Sequence, residues 1–238
     1  MVLKGFAKSR EQANSILMTG NIFVDNKRVE KSGQQVSQNS KIEIKGKTYP
    51  WVSRGGVKLN KAILEFSLDC NSVVALDIGA STGGFTDVLL VNGASKIYAV
   101  DVGYGQLDWK LRQDERVIVR EKTNARYLTD EIIKDPLDAL VCDASFISLK
   151  KVLPSGLRLL KSNGWLVALI KPQFEVGKGL VGKGGVVRNT ELHEGVKNDI
   201  KNWIQFEMKM NLLGIVDSPI LGPRGNKEFI IVATKLSN

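Results

Sequence analysis

The chain has 238 residues, of which 43% are hydrophobic and 25% charged, and it carries a formal net charge of +9. That length suits one full α/β domain with a small appendage, and the composition is that of a folded chain rather than a disordered one. The longest clean apolar stretch, Trp165 to Ile170, is far short of the roughly 20 residues that cross a bilayer. Lys4, Lys8, Arg10 and Glu11 also interrupt any N-terminal apolar region of the signal-peptide kind. A soluble, cytoplasmic protein with no membrane partner is therefore expected. Cys70 and Cys142 have no metal-ligand spacing and form no disulfide framework, which fits a reducing compartment. The charge is unevenly placed: residues 1–60 hold 11 Lys and Arg against 4 Asp and Glu, whereas the rest hold 23 against 21. A basic arm on a nearly neutral body matches a phosphate-binding module, although a solubilising surface has the same composition.

In chain order, Ser9 to Met18 reads as a short helix, with Ser9 as N-cap, Gln12 at the capping-box position and Gly20 beyond its end. Ile22-Phe23-Val24 and Lys27-Arg28-Val29 flank Asp25-Asn26, a tight-turn pair that predicts a hairpin, and Lys41 to Ile44 predicts a third strand. Residues 1–48 thus form a small α+β unit, 49–56 a linker, and 57–238 the main domain, opening with a helix over Val57–Phe66. From Val73 apolar strands alternate with amphipathic helices. The strands are Val73–Ile78, Lys96–Val100, Val117–Arg120, Leu137–Cys142, Trp165–Ile170, Leu212–Val216 and Phe229–Ala233; the clearest helices are Gly84–Val91, Leu149–Leu160 and Thr190–Met210. That alternation predicts an α/β fold, an open and largely parallel seven-stranded sheet covered on both faces. Ligands in such sheets bind beyond the carboxyl ends of the strands.

The first of those strands runs into Asp77-Ile78-Gly79-Ala80-Ser81-Thr82-Gly83-Gly84-Phe85, a glycine-rich turn opening a helix. Its spacing is not the G-x-G-x-x-G of dinucleotide binders, and Asp77 opposes phosphate but suits an ammonium group. Asp101, 22 residues beyond Gly79, ends the second strand, where it can accept hydrogen bonds from ribose hydroxyls. A nucleoside with a charged amino-acid tail fits both acids, which favours S-adenosylmethionine over a nicotinamide cofactor; the alternative is a glycine turn of another nucleotide enzyme with Asp101 as a helix cap. The candidate cofactor contacts are Asp77, Gly79, Ala80, Ser81, Thr82, Gly83, Gly84, Phe85, Asp101 and Asn124.

Taken together, Ala7 to Ala13, Ser53 to Leu59, Asp77 to Asp87, Asp101 to Leu107, Cys142 to Phe146 and Ile170 to Glu175 resemble the TlyA family, also called haemolysin A-like. Its members join an S-four RNA-binding module to an FtsJ-type 2′-O-methyltransferase domain of Rossmann-like fold. The resemblance implies a Lys-Asp-Lys-Glu tetrad at Lys58, Asp143, Lys171 and Glu228. It also implies S-adenosylmethionine as methyl donor and ribosomal RNA or ribosomal subunits as partner. The family's RNA-binding module normally opens with a further helix that this sequence does not show; either the start is placed late or the chain is of the shorter family type, and the resemblance implies a cytidine of large-subunit rRNA as the target of the shorter members. The residue types suit the chemistry: a ribose hydroxyl must lose its proton as it attacks, and a lysine is a base only when neutral, a state favoured by burial and a second ammonium. Lys171 is assigned as base, with Lys58 and Asp143 tuning it and Glu228 orienting; no metal is required. Taken singly, Asp143 is equally a helix cap, Lys171 an ordinary strand-end lysine, Glu228 a solvated edge charge and Lys58 a phosphate ligand. RNA contacts are expected from Lys8, Arg10, Lys27, Arg28, Arg54, Lys178 and Lys183, the last two in a glycine-rich segment, 176–188, that reads as a mobile basic lid or a plain loop. Three rival functions are a methyltransferase acting on a base or small molecule, a membrane-active haemolysin, against which the cofactor loop and the lack of a transmembrane run argue, and an RNA-binding ribosome-assembly factor.

Overall fold

In a computed structural model, the described residues are 1–7, 13, 22–29, 33–37, 39–44 and 49–237, without the side chains of Leu3 and Lys178. They fall into two compact units, Met1–Trp51 and Val52–Asn238. In the first, β1 (Ile22–Val24) pairs antiparallel with both β2 (Lys27–Arg28) and β3 (Ile42–Ile44). The hairpin turns on Asp25 and Asn26, both left-handed at φ 48° and 65°, a conformation these residue types tolerate. Ala7, Ile22 and Val29 are its buried centre. The expected helix over Ser9–Met18, with Lys8 and Arg10, lies outside the described residues apart from Ala13.

The second unit opens with α1 (Gly55–Phe66) and continues β4 (Val74–Ile78), α2 (Gly84–Val91), β5 (Lys96–Val100), α3 (Trp109–Arg112), β6 (Val117–Arg120) and β7 (Leu137–Cys142). It ends with α4 (Leu149–Val152), α5 (Pro154–Leu159), β8 (Leu160–Ile170), α6 (Pro172–Glu175), α7 (Thr190–Asn202), β9 (Met210–Asp217) and β10 (Phe229–Lys235). Residues 52–56, expected to finish a linker, pack within this unit: the Val52 N–H donates to Asp87 Oδ2 at 2.8 Å, and α1 starts two residues early. The expected Leu149–Leu160 helix is two short ones, because Pro154 has no N–H to continue the first and starts the second. The expected Thr190–Met210 helix stops at Asn202, passes through a five-residue π turn over Trp203–Glu207, and gives way to β9 once Lys209 turns left-handed at φ 52°.

The seven strands run in the order β6-β5-β4-β7-β8-β10-β9, and only β10 runs against the others. Apolar residues fill both faces of the central strands, as a doubly covered sheet requires; Leu76, Leu140, Leu166 and Ile170 are wholly buried. The chain leaves β4 toward β5 and β6 and then returns to β7 on its other side. The crevice at that reversal lies beyond the carboxyl ends of β4 and β7. Leu140, at the centre of β7, makes no use of that crevice, so Leu140→Ala is expected to lower stability by about 2–5 kcal/mol in urea unfolding without altering the geometry at the strand ends. A loss below about 1 kcal/mol would mean the core under β7 repacks.

Candidate active site

Glycines shape the turn after β4. Gly79 is left-handed at φ 79°, and a Cβ there would sit 3.0 Å from Ala144 Cα, so only glycine lets the turn lie against the segment leaving β7. A Cβ on Gly84 would overlap Ser53 and reach 3.0 Å from the Gly56 N, which is how α1 comes close enough to α2 to aim Lys58 inward. Two adjoining cavities result. The larger, about 460 Å³, is lined by Ser81, Asp101, Asn124, Arg126 and Phe146 among others. The smaller, about 280 Å³, is lined by Arg54, Lys58, Asp77, Lys171 and Glu228 among others; Gly79, Ser81, Asp143 and Ser145 line both.

The four tetrad candidates meet in the smaller cavity. Lys171, at the end of β8, is buried, and its Nζ lies 2.7 Å from Asp143 Oδ1, donates to the Asp143 carbonyl at 3.0 Å and to Ser145 Oγ at 2.9 Å. Lys58 reaches Asp143 Oδ2 at 3.1 Å and Glu228 Oε2 at 2.7 Å. The approach to Glu228 is an ion pair, and among the described residues neither oxygen of this enclosed carboxylate accepts a hydrogen bond of regular geometry. Burial pulls the Lys58 ammonium down, but Asp143 and Glu228 outweigh it and hold the group above the usual lysine range. Nor does Asp143 cap the next helix: Ser148 Oγ accepts from the Lys150 N–H, and Glu175 accepts from Ser148 Oγ and from the Leu149 N–H. Glu228 is 2% exposed, so it is no solvated edge charge.

Asp77 is wholly buried inside β4. Burial pushes its carboxyl up to about 7, and the nearby Asp143 and Asp101 push the same way against a 2.7 Å hydrogen bond from Thr86 Oγ1 to Oδ2. Its Oδ1 has no hydrogen-bond partner among the described residues. An acid that lines a cavity with an unsatisfied oxygen fits a cationic ligand group better than any structural role. Asp101 accepts from the Ser81 N–H at 2.9 Å and the Gly103 N–H at 2.7 Å, each oxygen keeping a lone pair for a hydroxyl donor. Asn124 Oδ1 accepts from the Arg126 N–H, so it shapes the wall of the larger cavity besides lining it. Gly83, at φ 93°, lines neither cavity; a Cβ there would overlap Leu111. Ala80, Thr82 and Phe85 line the smaller cavity.

Among the expected RNA contacts, Arg54 is exposed at the smaller cavity, Lys183 is exposed, and Lys27 and Arg28 are exposed on β2. The side chain of Lys178 is outside the described residues. The glycine-rich segment, read as a mobile lid, contains a defined turn closed by a Gly182–Val186 bridge. Four residues of interest receive no role from the sequence: Ser145, Phe146 and Thr86 lie in segments that carry the family resemblance, and Asn226 in none, and each has partners that the fold supplies. Phe146 is left-handed at φ 65°, 90% exposed, and rests 5.1 Å from the Phe174 ring at the rim of the larger cavity.

A family profile described as FtsJ-like methyltransferase matches residues 51–235. The chain belongs to the FtsJ-like methyltransferase family. It is 43% identical over 97% of its length to the 16S/23S rRNA (cytidine-2'-O)-methyltransferase TlyA of Mycobacterium tuberculosis, covering 86% of that protein. It is 40% identical over 95% of its length to Hemolysin A of Brachyspira hyodysenteriae, covering 94% of it. A solved structure carrying a hemolysin label, from Streptococcus thermophilus, aligns with a TM-score of 0.77 at 40% identity, covering 99% of this chain and 86% of that one. Methyltransferase and haemolysin names thus fall on one fold. Among the described residues no helix is long and apolar enough to cross a membrane.

For an FtsJ-like methyltransferase, the buried Asp77 is a cost in the ligand-free state. Its folded pKa of about 7 lies above the unfolded value near 3.8, so stability is lost as pH rises between those values. Replacing it with the isosteric amide removes up to about 4 kcal/mol of that cost at pH 8 and leaves one unpaired amide group worth about 1–3 kcal/mol. Asp77→Asn is therefore expected to unfold at higher urea than wild type at pH 8, by about 1–2 kcal/mol, with the gap closing or reversing toward pH 4.5. A gap that does not change with pH would show that Asp77 is not the group being titrated.

Proposed function

We propose that this enzyme transfers a methyl group from S-adenosylmethionine to a ribose 2′-hydroxyl of ribosomal RNA, at a cytidine of the large subunit. The observation that carries the reading is the buried Lys58–Asp143–Lys171–Glu228 cluster, set at the junction of two cavities in a chain of this family. The name of the mycobacterial relative supports the substrate, and a ribosomal substrate places the work in the cytoplasm. Asp77, with its orphaned Oδ1, would hold an ammonium group, Asp101 ribose hydroxyls, and the walls near Ser81 and Asn124 the nucleoside. S-adenosylmethionine supplies, when bound, a methyl group on a positively charged sulfur.

The chain's own residues supply the proton chemistry. Lys58 has two carboxylate partners and is held as an ammonium; Lys171 has one, shared with Lys58. With one shared carboxylate partner and the exposed Ser145 beside it, Lys171 is the lysine of the two assigned to take the proton leaving the 2′-oxygen. Its Nζ donates to the Asp143 carbonyl and to Ser145 Oγ and pairs ionically with Asp143 Oδ1. Ser145 is the exposed and uncharged side chain of that set, so an incoming hydroxyl exchanges with it. Glu228 keeps Lys58 in place, and Lys58 in turn keeps Asp143 turned toward Lys171.

Substrate RNA would meet Arg54 and Lys183 as phosphate contacts and the open face of Phe146 as a stacking platform. Lys8, Arg10, Lys27, Arg28 and Lys178 would extend the phosphate contacts. Base or small-molecule methylation makes no comparable demand for two buried lysines on one carboxylate.

Incubation with unmodified ribosomal subunits and labelled donor, followed by mapping of the alkali-resistant ribose, reads the reaction directly. Lys171→Ala is expected to reduce transfer by about 10²–10⁴-fold while donor affinity stays within about twofold. Undiminished transfer by that variant removes Lys171 as the base, and label found on a base rather than a ribose removes the reaction class.

A further inference from the structure

The carboxylate of Glu228 has one ionic contact and, among the described residues, no hydrogen bond of regular geometry, so its aim depends on the backbone around it. That backbone is held in an unusual way. Asn226, two residues earlier, is 3% exposed and lies in the loop joining β9 to β10, far in sequence from everything it binds on its other side. Its Oδ1 accepts from the Val187 N–H at 3.1 Å, and its Nδ2 donates to the Gly185 carbonyl at 3.0 Å and the Pro223 carbonyl at 3.2 Å. Both amide hydrogens and the acceptor are used. The Asn226 carbonyl accepts from the Gly222 N–H at 2.8 Å, and the Glu228 carbonyl from the Ser218 N–H at 2.9 Å, which closes the loop on itself. Gly222 faces the Glu228 carboxylate so closely that a Cβ would overlap it.

The far side of the clamp is equally built. Val187 also accepts, through its carbonyl, a 2.8 Å contact from His193 Nε2 on α7, and the His193 ring sits edge-on to Phe229 at 5.7 Å. Arg224 adds a 2.9 Å hydrogen bond to the Gly184 carbonyl. None of these bonds belongs to the sheet ladder. They tie the basic turn around Lys183 to the strand start that carries Glu228.

We propose that Asn226 is a positioning residue for methyl transfer: its amide fastens the 182–187 turn to the 222–228 loop and so fixes the Glu228 carboxylate against Lys58. The proposal rests on the reading of Glu228 as part of the catalytic cluster. Removing the amide leaves Glu228 chemically intact but free to rotate away, which slows the chemical step rather than binding of donor or RNA.

Transfer to unmodified ribosomal subunits separates the possibilities. Asn226→Ala is expected to lower kcat at least about tenfold, with KM for subunits changed less than about threefold and donor binding by calorimetry within about twofold of wild type. Asn226→Asp, which keeps the shape and the acceptor for the Val187 N–H but loses both donors, should show the same pattern and guards against a poorly folded alanine variant. In the double variant with Glu228→Gln the loss should be no greater than that of the more damaging single change, because both act through one carboxylate. Additive losses, or a folded Asn226 variant with kcat within about twofold of wild type, overturn the clamp and leave the role of Glu228 standing. A fully active Glu228→Gln instead overturns the catalytic reading beneath it.

Discussion

The site depends on the Asp143 carboxylate, which lies between two buried ammonium groups. Lys171 meets one oxygen at 2.7 Å and Lys58 the other at 3.1 Å. Taking two ammoniums out of water is costly unless carboxylates accompany them. Asp143 serves both lysines and Glu228 serves one, so the four formal charges cancel within a single cavity. Neutrality overall, with an uneven division of partners, makes the two lysines different. One is pinned as a cation; the other shares its counter-ion.

The strand order explains how such distant residues meet. Asp143 leaves β7 and Lys171 leaves β8, parallel neighbours, so both stand at the same edge of the sheet. Glu228 comes from a strand start rather than a strand end, and it reaches that edge only because β10 is antiparallel: Phe229 pairs with Ile170. A parallel β10 would deliver its first residue to the opposite edge. Lys58 arrives from outside the sheet on α1, whose approach to α2 requires the absent side chain of Gly84. The one reversed strand and the one glycine contact are thus both conditions for the cluster.

Much of this was legible in the sequence. The bounds of Lys96–Val100, Val117–Arg120, Leu137–Cys142 and Gly84–Val91 follow from apolar runs and glycine turns, and the structure has the same limits. The errors came where apolar periodicity continues through a backbone break: across Pro154, and past Asn202 into the π turn and β9. Periodicity reports which residues face inward but not that the chain has changed direction. In the site, Asp77 announced itself as an acid in an otherwise apolar strand. Asn226 looked like an ordinary loop polar residue, because its partners at Gly185 and Val187 lie about forty residues away and no spacing rule reaches them. Phe146 likewise gave no sign of being 90% exposed.

Charge of both signs lines the two cavities. Asp101 and Asp143 line the larger cavity and Asp77 and Asp143 the smaller, and burial of Asp77, whose Oδ1 has no partner among the described residues, destabilises the ligand-free protein above about pH 4. A cationic ligand relieves that cost, so binding free energy and fold stability are linked through one carboxyl group. The exposed Arg54 stands at the smaller cavity together with Lys171, and the exposed Arg126 at the larger, so each cavity has a cation as well as acids on its walls. Asp143 lines both cavities, so the carboxylate that counters both lysines stands where the two cavities join.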